Sequence, residues 1–234
     1  MTIVGEWKEK LEDRVKNYEP KDVYNYDETG LFYRALPSRI LAVKGDRCIG
    51  GKLSKERLMV LVCGNMEGEF EKLLVIGKAA KPRRFKNLKI SSLPVGWKSS
   101  RKAWNSAALM EQWLRAFNAK MRTQKRKMIL FLDNAICHPD IKLSNVNLAW
   151  FPANTTCVTQ PMDQSIIYCL KVHYQKLLRT LLAAMNTCET VSEVTKSVTV
   201  LDAITYLSEG INNCLLYTSP SPRDRTRSRM PSSA

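Results

Sequence analysis

The sequence predicts a mixed α/β domain, a sheet of both neighbouring and crossover-connected strands with helices packed on its faces. Three observations carry that prediction. Two apolar runs, Arg57–Cys63 (RLMVLVC) and Lys72–Ile76, flank a turn at Gly64–Gly68, as consecutive antiparallel strands do. A wholly apolar run, Met128–Leu132 (MILFL), follows a helical segment, the order of a strand reached by a crossover and buried on both faces. The segments Ser106–Met121 and Gln164–Met185 repeat apolar residues at helical spacing, which marks helices with one buried face.

Each element follows from its own pattern. Residues 4–18 carry Trp7, Leu11 and Val15 at four-residue spacing, an amphipathic helix that Pro20 closes. Asp22–Tyr26 is a short strand, Gly30 breaks it, and Leu31–Leu36 continues as extended chain. Lys81–Lys89 is a basic loop opened by Pro82. Ser106–Met121 gathers Leu109, Trp113, Leu114 and Phe117 on one helical face. After Met128–Leu132 comes a shorter strand, Leu148–Phe151 (LAWF). The long helix Gln164–Met185 aligns Ile167, Leu170, Tyr174, Leu177, Leu178 and Leu181, and a final helix spans Val191–Leu207. No internal repeat is visible.

Composition sets outer bounds. A chain of 234 residues with 44% hydrophobic content and five tryptophans buries a real core. The net charge of +15 creates an attractive field for polyanions, which suits nucleic acid without requiring it. No run approaches the roughly 18 apolar residues of a membrane span, and MTIVGEWKEKLEDR lacks an apolar leader core, so a soluble intracellular protein is expected. Seven cysteines are scattered without a C-x-x-C pair, which argues for reduced, mostly buried thiols over a zinc ribbon or a disulfide scaffold. From Cys214 the chain reads CLLYTSPSPRDRTRSRMPSSA, rich in Ser, Pro and Arg and without periodicity. Back-translation of Cys214–Asp224 and Ser228–Ala234 yields strings like those of sequencing adapters. The expected organisation is therefore a lead-in at 1–21, one catalytic-type domain at 22–213 and a disordered, adapter-like tail at 214–234. The chain stays strongly basic without the tail.

Three acids stand out by position. Asp27 follows the strand DVYNY, Asp133 ends MILFL, and Asp163 lies in Gln160–Gln164 just ahead of the long helix. Acids at strand ends emerge together at one edge of a sheet. Converging carboxylates favour a hard divalent ion between them, and two such ions can activate a nucleophile and stabilise a leaving oxygen at phosphorus. Singly, each acid has an ordinary alternative: a turn at Asp27, a strand cap at Asp133, a helix N-cap at Asp163.

The surrounding residues favour the joint site. The segment Asn25–Arg34 (NYDETGLFYR) resembles the first-acid motif of the Tigger/pogo group of DDE transposases, with its jerky and centromere-protein-B-like relatives. Gly51–Arg57 (GKLSKER) is a second landmark of that group. Phe131–His138 (FLDNAICH) resembles the second-acid block, and Leu148–Thr156 with Gln160–Gln164 (QPMDQ) the third. Twenty-nine residues separate Asp133 from Asp163, as in the pogo-like version that ends in Asp. The resemblance covers roughly residues 5–207 and implies an RNase H-like fold. It further implies an Mg²⁺- or Mn²⁺-dependent DNA endonuclease and strand transferase with an intact acidic triad: Asp27, Asp133 and Asp163 holding two ions.

Neighbouring residues take lesser parts in that expectation. Asn134 and Gln164 are polar groups able to orient a ligand or a water, and His138 stands where the group commonly has histidine, a hydrogen-bonded structural role being favoured. Glu28 either supports the metal-holding acids from behind or faces outward to pair with a nearby lysine, the latter being slightly favoured. Lys78, Lys81, Arg83, Arg84 and Lys86 surround Phe85, and Arg101 and Lys102 precede Trp104; both clusters suit DNA phosphates. A third cluster, Lys120–Lys127, suits phosphate and a solvated helix end equally. Trp104, Trp113 and Trp150 are expected in the core. DNA is the implied partner, no membrane is, and the implied location is nuclear, with self-association left open. The group's helix-turn-helix domains do not fit within Met1–Lys21, so a fragment without them is expected. The alternative function is a domesticated, non-catalytic DNA- or chromatin-binding protein, and a third is a pseudogene product.

Overall fold

The computed structural model describes residues 3–35, 56–153, 155, 159–183 and 197–218. Helix α1 (Ile3–Val15) leads into strand β1 (Val23–Phe32), followed by β2 (Arg57–Asn65), β3 (Leu74–Gly77) and β4 (Gly96–Ser99). Helix α2 (Ala107–Thr123), strands β5 (Met128–Leu132) and β6 (Val146–Trp150), and helices α3 (Ile167–Ala183) and α4 (Val200–Thr218) complete the order. A π turn at Met162–Ile166 runs directly into α3.

The six strands form one mixed sheet in the order β4-β3-β2-β1-β5-β6. β1 pairs antiparallel with β2, and β2 with β3, whereas β1–β5, β5–β6 and β3–β4 are parallel. An antiparallel β3-β2-β1 meander followed by parallel β5 and β6 is the RNase H-like arrangement, here with β4 added at one edge.

Side-chain alternation along β1 divides the core. Its odd positions face α1, α3 and α4, where Leu31, Val60, Val62 and Val75 meet Leu170, Tyr174, Ile204 and Leu207. On that same face Trp7 of α1 packs against Val23, Ile129, Phe131 and Phe151. Even positions face α2: Tyr24, Tyr26, Leu61, Ile76, Leu130 and Leu132 pack on Met110, Leu114, Phe117 and Met121. Among the described residues no helix is long and apolar enough to cross a membrane.

The structure departs from the sequence pattern in places. Gly30 breaks nothing: β1 runs on to Phe32 because β2 pairs with it continuously from Tyr24↔Asn65 to Phe32↔Arg57. β4 carries no alternation to betray it and exists through its ladder with β3. The last helix begins at Val200 and continues through Cys214 to Thr218. The expected start of that helix at 191–196, the landmark at 51–55, Leu36, Met185 and the chain from 219 onward lie outside the described residues.

Candidate active site

Sheet register brings two of the acids side by side. Asn25 pairs with Phe131 in the parallel β1–β5 ladder. Two residues further along each strand stand Asp27 and Asp133, on the same face as that pair and level with each other. Asp27 therefore lies within β1, whereas Asp133 follows the last residue of β5. The third acid arrives on the π turn, whose wider coil holds Asp163 before α3 begins. Asp163 is thus inside the helical turn and does not cap it; Pro161 opens that turn.

Two polar residues pin the turn to β1. Asn25 Nδ2 donates to the Phe131 carbonyl at 3.1 Å, and its Oδ1 accepts from the Met162 amide at 3.0 Å. The buried Gln160 donates from Nε2 to the Tyr26 carbonyl at 3.3 Å. These bonds set Asp163 within hydrogen-bonding reach of Asp27. Burial first, and the Asp163 carboxylate second, push the Asp27 carboxyl up to about 8, so at neutral pH this pair holds a proton. The Glu28 amide donates to Asp27 Oδ1 at 2.7 Å, and Asp27 Oδ2 is buried without a hydrogen-bond partner.

Asp133 is engaged differently. Its Oδ1 lies 2.9 Å from His138 Nδ1, a contact too poorly aligned to count as a hydrogen bond, while the better-directed Nδ1 contact is to the Asp133 carbonyl at 3.0 Å. On its other side, His138 Nε2 meets Glu28 Oε1 at 3.1 Å. Burial works against charge on this imidazole, but Asp133, Cys137 and Glu28 outweigh it and hold its pKa up at about 12, which makes it an imidazolium. In return His138 holds the Asp133 carboxyl below its ordinary value. Burial would raise Glu28, yet bonds from His138, Asn105 and the Tyr26 hydroxyl lower it overall.

Glu28 is thus no lysine partner, as the sequence suggested; strand alternation turns it toward α2, where His138 and Asn105 receive it. The larger correction concerns an enzyme with an intact acidic triad. Among the described residues, the group of three ligating side chains whose donor atoms all lie within 4.8 Å of one another is Glu28, Cys137 and His138. Asp27, Asp133 and Asp163 do not form such a group. Asp133 is engaged by His138 instead, whereas Asp27 has Asp163 as its neighbour.

The remaining expected residues fall into place around this edge. Asn134 donates from Nδ2 to the Phe151 carbonyl at 2.6 Å, which ties the loop after β5 to β6. Gln164 is exposed on the π turn. β3 and β4 run parallel to β1 and β5, so Lys78 and Arg101 leave the sheet at the same edge as Asp133. Lys78, Lys81, Arg83, Arg84, Lys86, Arg101 and Lys102 are all exposed or half-buried, and Phe85 between them is fully buried. The third cluster is partly committed to structure: Lys120 pairs with Glu71 at 2.6 Å and Arg126 with Asp22 at 2.7 Å. Trp113 packs on Tyr26 and Phe117, but Trp104 is 54% exposed, with the Arg57 guanidinium over its ring at 4.0 Å. That exposure corrects the expectation of Trp104 in the core; its position on the loop between β4 and α2 explains it.

Sequence reasoning missed Asn25, Gln160 and Asn105 as positioning residues. The signal was present for Asn25, which stands two residues before Asp27 on the same face of the strand, and for Gln160, which opens the QPMDQ motif. Asn105 had none.

Comparison with known proteins agrees with this architecture. The family model described as DDE superfamily endonuclease matches residues 55–213. Tigger transposable element-derived protein 4 of Mus musculus is 40% identical over 192 residues, 81% of this chain and 36% of that protein. CENP-B homolog protein 2 of Schizosaccharomyces pombe is 32% identical, over 71% of this chain and 34% of its own length. The Jerky protein homolog of Homo sapiens is 37% identical, over 62% and 28% respectively. The chain thus spans about a third of the length of these relatives. Among solved structures, the Mos1 mariner paired end complex with Mn aligns over 91% of this chain and 60% of that one, with a TM-score of 0.47 and 13% identity.

Proposed function

This chain belongs to the DDE superfamily endonuclease family, and from that premise we propose that it is a transposase-type domain acting on DNA phosphodiester bonds, by hydrolytic strand cleavage and strand transfer. The observation that carries the proposal is Asp27 Oδ2, a buried carboxyl oxygen that no hydrogen bond satisfies, at the edge where β1 and β5 end their ladder. A buried oxygen without a donor is costly, and a cation that replaced the carboxyl proton would satisfy it. The donor set is all-oxygen, which fits Mg²⁺ or Mn²⁺. Asp27, with Asp163 within hydrogen-bonding reach, is where such an ion would be held. A bound ion there would supply an activated water or 3′-hydroxyl and stabilise the departing oxygen of an in-line displacement.

The chain's own groups account for the rest. A cation held there would displace the Asp27 carboxyl proton. His138 steadies Asp133 through Nδ1 and is itself steadied by Glu28. The cations on Lys78–Lys86 and at Arg101 and Lys102 neutralise phosphates and lay the strand along the edge. Such a chain would act in the nucleus.

A specific observation favours a second reading. Because Asp133 is tied to His138 and the three acids are not drawn into one group, the same fold would serve as a domesticated, non-catalytic DNA-binding protein. Nicking of supercoiled DNA separates the two. The first expects nicking by this chain with Mn²⁺, abolished by chelator and by Asp163→Asn, a change at an exposed side chain that leaves the fold intact. DNA binding without nicking at any metal concentration would overturn it in favour of the second.

A further inference from the structure

We propose a second, chemically distinct metal site on the α2 face of the sheet, in which Glu28, Cys137 and His138 bind one thiophilic divalent ion of the zinc class. Glu28 Oε1 lies 3.1 Å from His138 Nε2, and the Cys137 Sγ lies 3.8 and 3.9 Å from the two Glu28 oxygens. One donor from each residue falls within 4.8 Å of the others. A tetrahedral zinc ion with ordinary bond lengths places an N and an O donor about 3.4 Å apart, and an S and an O donor about 3.6 Å apart. The Glu28–His138 and Glu28–Cys137 separations match those two edges to within a few tenths of an ångström, and the third pair lies within 4.8 Å.

The orientation of the ligands gives a second, independent argument. A metal-bound histidine needs one ring nitrogen free for the ion and the other held by an oxygen behind it. His138 has this arrangement: Nδ1 is held by the Asp133 carbonyl at 3.0 Å with its carboxylate at 2.9 Å, and Nε2 points at Glu28. Glu28 in turn is fixed by the Tyr26 hydroxyl at 2.8 Å and by Asn105. Cys137 is half-buried, on the loop after β5, so the fourth position opens toward solvent and would take a water.

The exchange balances in charge and protons. Any proton on His138 Nε2 or on the Cys137 sulfur would leave to solvent on binding, and the dication would take up the charge released. Mixed N, S and O donors select Zn²⁺ or Co²⁺ over Mg²⁺, which separates this site from the all-oxygen one across the sheet. Since Asp133 is the oxygen behind the histidine, an ion here fixes the carboxylate that the proposed catalytic edge uses, without depending on that edge being active.

Cobalt substitution tests the site. Co²⁺ titrated into the whole chain is expected to give a near-ultraviolet thiolate-to-cobalt charge-transfer band that saturates at one equivalent and is displaced by Zn²⁺. The band should vanish in Cys137→Ser and persist in Asp163→Asn, with the far-ultraviolet dichroism of both unchanged. X-ray absorption at the zinc edge of the unaltered protein should show one sulfur at about 2.3 Å with nitrogen or oxygen neighbours. A band that survives Cys137→Ser, or zinc with no sulfur neighbour, would overturn the assignment. Loss of DNA nicking alone would not, because the band does not depend on catalysis.

Discussion

Asp27 lies within β1 at the edge where its ladder with β5 ends, and its titration has a definite sign. Its carboxyl sits at about 8 in the folded chain against an ordinary 3.8, because burial and the neighbouring Asp163 disfavour its charge. The folded state therefore binds more protons than the unfolded state between those two values. Its stabilising contribution is complete below about pH 4 and is lost as pH rises through about 8. Asparagine cannot ionise, so metal-free Asp27→Asn should gain on the parent by at most about 1.4 kcal/mol per pH unit between about pH 5 and 8. Urea unfolding of both proteins across that range checks this; parallel pH profiles would contradict it. His138 titrates in another window, losing its contribution only as pH passes from about 6.5 toward about 12, and it cancels in the comparison.

At the scale of elements, α2 ends in a left-handed cap that the sequence does not suit. Lys125 has φ 55°, its amide bonds to the Arg122 carbonyl, and the Arg126 amide reaches the Met121 carbonyl at 3.0 Å. Glycine carries no Cβ penalty there, so Lys125→Gly should stabilise the fold by roughly 1 kcal/mol, read as a higher denaturant midpoint with an unchanged slope; an unchanged or lower midpoint would show that the lysine side chain contributes more than its backbone costs. Other elements show where sequence pattern suffices. MILFL, RLMVLVC and the Leu109–Phe117 stripe were legible because periodicity and burial agree in them. β4 was not, since four residues held by one ladder leave no period to read. Gly30 misled because a glycine signals a turn locally, whereas the β2 ladder overrides it. The three acids were legible as positions. Their actual partnerships were not: a proton shared between Asp27 and Asp163, and an imidazolium between Asp133 and Glu28, arise from contacts between elements far apart in the chain.

Across the whole molecule, one sheet edge collects both the carboxylates and the cations, because every strand parallel to β1 ends there. This polarity predicts nonspecific DNA binding that weakens steeply with salt. Replacing Lys81, Arg83, Arg84 and Lys86 together by alanine should reduce the slope of log K against log salt by about one for each phosphate that is no longer neutralised. Fluorescence anisotropy at several salt concentrations would show it, and an unaltered slope would place the DNA elsewhere. A cation site at the carboxylate edge would be linked to the Asp27 proton, and calorimetry reads that linkage. Mn²⁺ is titrated into the chain near neutral pH in two buffers of unlike ionisation enthalpy, beside Asp27→Asn. Release of about one proton per ion bound is expected from the parent, and none from the variant. Binding to the parent without proton release, or equal release from Asp27→Asn, would contradict it.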